Sequence, residues 1–97
     1  MKKLKLHDEA EAELSEIFLY YADKNPDIAL RFYQEITDSF SHILRQPKMG
    51  APIETPYRKY VTHSFHYIII YKESTDGINV DAIGHYSREP GYWHHRK

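Results

Sequence analysis

The chain contains no cysteine among its 97 residues. Without thiols it can form no disulfide, and it can offer neither a thiolate nucleophile nor a thiolate metal ligand. It also has little continuous apolar sequence near its start. The basic residues Lys2, Lys3 and Lys5 alternate with Leu4 and Leu6 and lead directly into an acidic segment, which is unlike a secretory signal peptide. We therefore expect a cytoplasmic protein.

A strong charge of either sign is absent as well. The formal net charge is -1, whereas basic nucleic-acid-binding domains have a pI above about 9. The chain has no glycine-rich phosphate loop and no Ser-His-Asp order. Five of its seven histidines follow residue 62, but they lack the spacing and carboxylate partners of a zinc site. We expect neither a metal nor a cofactor.

What is present predicts a single α+β domain over residues 1–97. Hydrophobic residues make up 41% and charged residues 28%, which is ordinary for a globular domain of this length. Residues 3–6 alternate like a short edge strand. Asp8 and Glu11 resemble a capping box at the start of a first helix, and Asn25 and Pro26 begin a second. Apolar residues recur at helical spacing in both, which predicts a helical hairpin.

The acidic residues of the first helix lie mostly outside its apolar stripe. Glu9, Glu13 and Glu16 fall on the other side of the helix. Such a run is typical of a solvent-exposed helix face, so we assign it no functional role.

The second half of the chain changes from helical to strand periodicity. A loop over residues 47–56 holds three prolines, and residues 57–62 and 65–71 are rich in aromatic and β-branched residues. Residues 65–71 are apolar on both faces and predict the central strand. The turn signal Asp76-Gly77 precedes a returning antiparallel strand over residues 78–83. The order β-α-α-β-β-β predicts a helical hairpin packed on one face of a small, mainly antiparallel, curved sheet, with the other face partly open.

The last predicted strand leads into a cluster of polar and aromatic residues. Ile78, Val80 and Ala82 are expected on one face of this strand, and Gly84 is expected to end it. Beyond it, Pro90 restricts its own backbone and that of the preceding residue, so the residues around it are presented by a stiff turn.

This cluster contains the residue types that metal-free RNA cleavage requires. His85 or Glu89 could act as the base, Tyr92 as the acid, and Arg58 or Arg88 could stabilise the phosphorane.

A structural role for the same residues is the alternative. Arg88 could pair with Glu89 or Asp81, and His85 could cap a strand. Tyr92 and Trp93 could cover the edge of the sheet.

Several residues and motifs, in this order, resemble the RelE/ParE superfamily of toxins from type II toxin-antitoxin systems. The residues that carry the resemblance are Tyr20-Tyr21, Pro47, Gly50, Arg58, Tyr67-Ile68-Ile69-Ile70-Tyr71 and His85-x-x-Arg88-x-Pro90-x-Tyr92-Trp93. The resemblance extends over nearly the whole chain, and the family's fold is similar to the one predicted here.

The resemblance implies a growth-arresting toxin of the plasmid-stabilisation type. The long helical hairpin, with its acidic outer face, is more similar to ParE-type toxins, which inhibit DNA gyrase and are neutralised by a cognate antitoxin. The RelE-type alternative is a ribosome-dependent endoribonuclease that cleaves mRNA without metal. A third alternative is a degenerate member that acts only as a binding module. A homodimer and a hetero-oligomer with the antitoxin both remain open.

The residue chemistry and the resemblance together give two overlapping sets of site residues. The catalytic candidates, which apply only to a ribonuclease, are Arg58, Arg88 and Tyr92, which resemble positions that ribonuclease members use, and His85, which the chemistry of RNA cleavage adds. The candidates for target binding are Arg88, Tyr92, Trp93 and Arg96.

Overall fold

The computed structural model describes residues 3–85 and 91–96. It begins with β1 (Lys3–Leu6) and continues with two helices, α1 (Asp8–Lys24) and α2 (Pro26–Arg45). Asn25 separates the helices, and its side-chain oxygen accepts a 2.9 Å hydrogen bond from the backbone N–H of Asp27. Asn25 is therefore the N-cap of α2 and Pro26 its first residue, as the sequence predicts.

The predicted capping box at the start of α1 is wrong. Asp8 is already the first helical residue, and the N-cap is His7. The ring nitrogen Nδ1 of His7 accepts a 3.1 Å hydrogen bond from the backbone N–H of Glu9. The imidazole thus satisfies a free amide that a Ser, Asp or Asn side chain usually satisfies at this position.

Within the described residues, five strands form one mixed sheet in the order β1-β5-β4-β3-β2. The later strands are β2 (Ala51–Pro52), β3 (Tyr57–Val61), β4 (Tyr67–Ser74) and β5 (Gly77–His85). β4 is central and β1 lies at an edge, as predicted; β1 pairs with β5 in parallel, and the other pairs are antiparallel. The two-residue strand β2 lies within the segment that the sequence predicts as a loop.

Two sequence predictions about β5 are wrong, and one of them fails because of a register shift. Ile70 pairs with Ala82 and Tyr71 pairs with Val80, so Asp81 is an extra residue between the two pairs. Such a bulge moves the following side chains to the opposite face. Ala82 therefore does not share a face with Val80. Independently of the bulge, the strand does not end at Gly84, as the sequence predicts, but continues to His85.

Two apolar clusters lie on opposite faces of the sheet. The larger one joins the helices to the sheet, and its buried members include Ala10, Phe32, Ile36, Ile43, Ile69, Tyr71, Val80 and Ile83. The smaller one consists of Ile70, Ala82 and Trp93, with Tyr57, Ile68 and Tyr92 packed around them. The face that the sequence predicts to be partly open is thus covered in part by the C-terminal residues.

Neither helix in the described part of the chain is long and apolar enough to cross a membrane.

Candidate functional site

The C-terminal segment, residues 91–96, crosses the sheet face that is turned away from the helices. Trp93 is 5% exposed and contacts Ile70 and Ala82, and its ring centroid lies 4.6 Å from that of Tyr57. Two turns shape the segment, in which the N–H groups of His94 and Arg96 donate to the carbonyls of Gly91 and Trp93. The indole therefore attaches the segment to the middle of the sheet.

Arg96 attaches the far end of the segment to α1. Its Nη1 and Nη2 atoms donate to the two carboxylate oxygens of Glu13 at 2.8 and 2.9 Å, and its Nε donates to Glu9 at 2.9 Å. Nη1 also donates to the carbonyl of Asp81 at 2.9 Å. The side chain of Arg96 is only 5% exposed, and its hydrogen bonds to Glu13 raise the pKa of the guanidinium, an effect that outweighs the opposing effect of burial. This bidentate pairing is the stronger form of an arginine–carboxylate contact.

The two histidines between Trp93 and Arg96 also have acidic partners. Nε2 of His94 contacts the carboxylate of Glu54, and Nε2 of His95 lies 3.3 Å from that of Glu9. For Glu9, desolvation raises the pKa, but the nearby charges of Arg96 and His95 outweigh it and lower the pKa overall. Each residue from 93 to 96 thus has a partner outside the segment, and His95 and Arg96 share Glu9.

Tyr92 is half-buried on the same face as Trp93. It packs beside the small cluster, and the guanidinium carbon of Arg96 lies 5.2 Å from the centre of its ring. A side chain on Gly84 would meet the Tyr92 hydroxyl at 2.4 Å, which explains why glycine lies inside β5 at this position. The structure therefore brings Tyr92, Trp93 and Arg96 together in one segment.

Arg58 lies on the other face of the sheet. It pairs with Tyr71 across β3 and β4, and Tyr71 belongs to the helix-side cluster, whereas the preceding Tyr57 packs against Trp93. Its Nη1 donates to the carbonyls of Gly50 at 2.8 Å and Lys48 at 3.3 Å. The guanidinium thus holds the loop that follows α2.

His85 pairs with Tyr67 and so lies on the helix-side face of the sheet, whereas Tyr92 lies on the other face, with its hydroxyl beside the neighbouring Gly84. His85 is exposed at the end of β5, opposite Tyr67, with the two rings nearly perpendicular and 5.5 Å apart. Tyr67 and Tyr71 are four residues apart on β4, so His85 and Arg58 are roughly 13 Å apart along the strand direction. Arg88 and Glu89 lie outside the described residues. Among the described candidates, the acid, the base and the cation do not form one site.

The sequence interpretation missed the role of the α1 acids. Glu13 is not solvent-exposed but 12% exposed, because it pairs with Arg96 and one of its oxygens also accepts from the N–H of Ile83 at 3.0 Å. Glu9 and Glu13 are four residues apart and share a helix face, which is a spacing that could have indicated a common cationic partner.

A second surface feature is an apolar groove along the seam between α1 and α2. Leu19 and Leu30 are 64% and 62% exposed, and Tyr33 meets Phe18 with the ring planes nearly perpendicular. The groove is lined by Leu6, Glu11, Leu14, Ser15, Phe18, Leu19, Leu30 and Tyr33. Exposed leucines in one patch are typical of a surface that a partner covers.

No group of three metal-ligating side chains occurs within residues 3–85 and 91–96.

Comparisons with known proteins agree on one family. Residues 4–90 match the family described as "ParE toxin of type II toxin-antitoxin system, parDE". The protein named Toxin ParE2 from two Mycobacterium tuberculosis strains, CDC 1551 / Oshkosh and H37Rv, is 31% identical over 90 residues, which cover 92% of this chain and 86% of the relative. A solved structure of the chromosomal ParDE TA system from P. aeruginosa has a similar fold, with a TM-score of 0.74, 22% identity, and coverage of 88% of this chain and 96% of that chain.

Proposed function

The chain belongs to the ParE toxin family of type II toxin-antitoxin systems, and from this premise we propose that it arrests growth by inhibiting DNA gyrase in the cytoplasm. A toxin of such a system is paired with an antitoxin. We propose that the inhibition depends on binding by the C-terminal segment and its surroundings.

The observation that carries this proposal is the separation of the described catalytic candidates. Cleavage of RNA without metal needs a base, an acid and a cation around a single phosphate. Arg58 faces the helices and bonds to loop carbonyls, whereas Tyr92 lies on the opposite sheet face. An inhibitor that acts by binding needs no proton transfer, so this arrangement supports the gyrase-directed function over the ribosome-dependent nuclease.

The proposed target-binding residues have different parts in this account. Tyr92 is half-buried, so part of the residue is accessible for direct contact, while Trp93 and Arg96 are buried and act by holding the segment in place. Arg88 remains a proposed contact outside the described residues. Large aromatic and arginine side chains are the types that contribute most of the binding free energy in protein interfaces.

The apolar groove between α1 and α2 is the surface that we propose for the antitoxin. Leu19, Leu30 and Tyr33 form an exposed strip along two antiparallel helices. An amphipathic antitoxin helix would place its apolar side chains in such a groove and would fold as it binds. The acid Glu11 at the groove favours a basic residue on the bound helix.

Growth and plasmid topology test the proposal in cells. Expression of this chain alone should arrest growth and leave reporter plasmids relaxed, since gyrase introduces negative supercoils. Co-expression with the protein encoded beside it should restore both. Arrest with normally supercoiled plasmid and cleaved mRNA would favour the nuclease, and normal growth at verified expression would favour a member that acts only as a binding module.

A further inference from the structure

We propose that Glu13 and Arg96 are positioning residues for target binding: their ion pair holds the C-terminal segment in the conformation that the target recognises. This inference rests on the proposed function, because it assigns the segment to target binding. Neither residue needs to touch the target.

The ion pair between Glu13 and Arg96, called the anchor below, attaches the C-terminal segment to α1. Arg96 uses three of its nitrogen atoms to contact Glu9, Glu13 and the carbonyl of Asp81, and its contacts to Glu13 are two-pronged. The side chains of Arg96 and Glu13 are 5% and 12% exposed, so water screens their interaction little. A lysine has one nitrogen and could not make this set of contacts.

The anchor also completes the edge of the sheet. β1 ends at Leu6, opposite Val80, so β5 has no further strand neighbour on that side among the described residues. Beyond that point the carbonyl of Asp81 accepts from Arg96, and the N–H of Ile83 donates to Glu13. Two backbone groups that β1 does not pair are thus satisfied by the same ion pair, which ties the segment to both α1 and β5.

The other attachments cannot replace this anchor. The carboxylates and rings of the pairs His94–Glu54 and His95–Glu9 are about half exposed or more, and exposed ion pairs contribute little. Trp93 is buried, but it lies at the start of the attached stretch. Residues 91–96 form turns and no helix or strand, so side-chain attachments must offset the entropy cost of holding them in one conformation. Without the anchor, we expect Trp93 to become more accessible and Tyr92 to lose its fixed orientation.

The test uses Trp93, which is the only tryptophan and reports directly on the segment. We compare Arg96→Lys and Glu13→Gln with the wild type by tryptophan emission, acrylamide quenching, far-UV circular dichroism and inhibition of gyrase supercoiling. The control is Glu73→Gln, which removes the acid from the exposed Lys48–Glu73 pair. If Arg96→Lys or Glu13→Gln folds poorly, Glu9→Gln replaces it in the test, because Glu9 is a more exposed contact of the same guanidinium.

Arg96→Lys and Glu13→Gln should both keep the helical circular dichroism signal. Their tryptophan emission should be red-shifted and more easily quenched, and inhibition of gyrase should require about tenfold more protein. Glu73→Gln should match the wild type in every readout, and Glu9→Gln should show the same changes more weakly.

Two results would overturn the inference. One is unchanged Trp93 emission in folded Arg96→Lys and Glu13→Gln, whatever the wild type does to gyrase. The other is a released Trp93 with undiminished inhibition. If the wild type itself does not inhibit gyrase, the proposed function fails, and the emission readout alone then decides whether the pair holds the segment.

Discussion

The hydroxyl of Tyr71 connects the core of the sheet to the loop that follows α2. It donates to the carbonyl of Pro47 at 2.7 Å and accepts from the N–H of Gly50 at 2.9 Å, and the residue is fully buried. Burial raises the pKa of this phenol, so it remains protonated and able to donate. A side chain on Gly50 would meet this hydroxyl at 2.5 Å. The glycine and the tyrosine are therefore matched to each other.

Replacement of Tyr71 by Phe should destabilise the fold without a direct effect on target binding. The change leaves the carbonyl of Pro47 and the N–H of Gly50 without this partner in a buried place, which costs about 1–3 kcal/mol. Urea unfolding at equilibrium measures the free energy of unfolding. Tyr20→Phe is the matched control, since Tyr20 is 57% exposed, and it should change that free energy by less than about 0.5 kcal/mol. Equal stability of both variants would contradict this account of the loop.

The sequence predicted which residues of the C-terminal segment belong to the candidate site, but not which residues they contact. The sequence marks Tyr92, Trp93 and Arg96 as a cluster, and the structure places them together. The sequence does not reveal that Arg96 pairs with Glu13, because the two residues are 83 positions apart and their proximity depends on how α1 packs on the sheet. The place of Arg58 follows from the strand register, which is also a tertiary property.

At the scale of elements, periodicity predicted the helices and strands well. The N-terminus of α2, the central place of β4 and the edge position of β1 follow from local signals such as Asn25-Pro26 and the apolar run of residues 65–71. The bulge at Asp81 has no such signal. One extra residue moves Ala82 to the second face, and simple alternation cannot foresee it.

Acidification should loosen the C-terminal segment. Glu9 faces Arg96 and His95, and Arg96 also faces Glu13. The folded pKa of Glu9 is lowered from its ordinary value of 4.5, so its stabilising contribution is complete above that value and is lost as the pH falls through the folded pKa. Trp93 emission should therefore shift to the red in this acidic range, and Glu9→Gln should lack this part of the transition. An emission maximum that stays constant as the pH falls from neutral until Glu9 is protonated would contradict the prediction.

The apolar groove predicts a charge-sensitive interface with the antitoxin. Leu30→Glu should leave the fold intact, because the side chain is 62% exposed, and should weaken antitoxin binding by about tenfold or more, because it introduces a charge into an apolar contact. Titration calorimetry with the protein encoded beside this chain measures the affinity. Val61→Glu is the control, since Val61 is 51% exposed on β3, away from the groove. Equal weakening by both variants would argue against the groove as the binding surface.

At the scale of the whole molecule, the sheet separates two surfaces. The helices cover one face and carry the apolar groove, while the C-terminal segment crosses the other face. Arg96 joins the two layers through Glu9 and Glu13. Motif order over nearly the whole chain was sufficient to predict the family, which the match over residues 4–90 confirms. The separation of Arg58 from Tyr92 could be seen only in the folded arrangement.

The activity of purified protein in two parallel assays tests the central claim most directly. One assay measures supercoiling by gyrase, and the other measures cleavage of ribosome-bound mRNA. We expect the wild type to block supercoiling and to leave mRNA intact. Trp93→Ala should weaken the block more than Tyr92→Phe, because loss of the indole removes the attachment of the segment to the sheet, whereas the second change removes only a hydroxyl. Site-specific mRNA cuts that Arg58→Ala or Arg88→Ala reduces by ~10²-fold, with gyrase unaffected, would contradict the account.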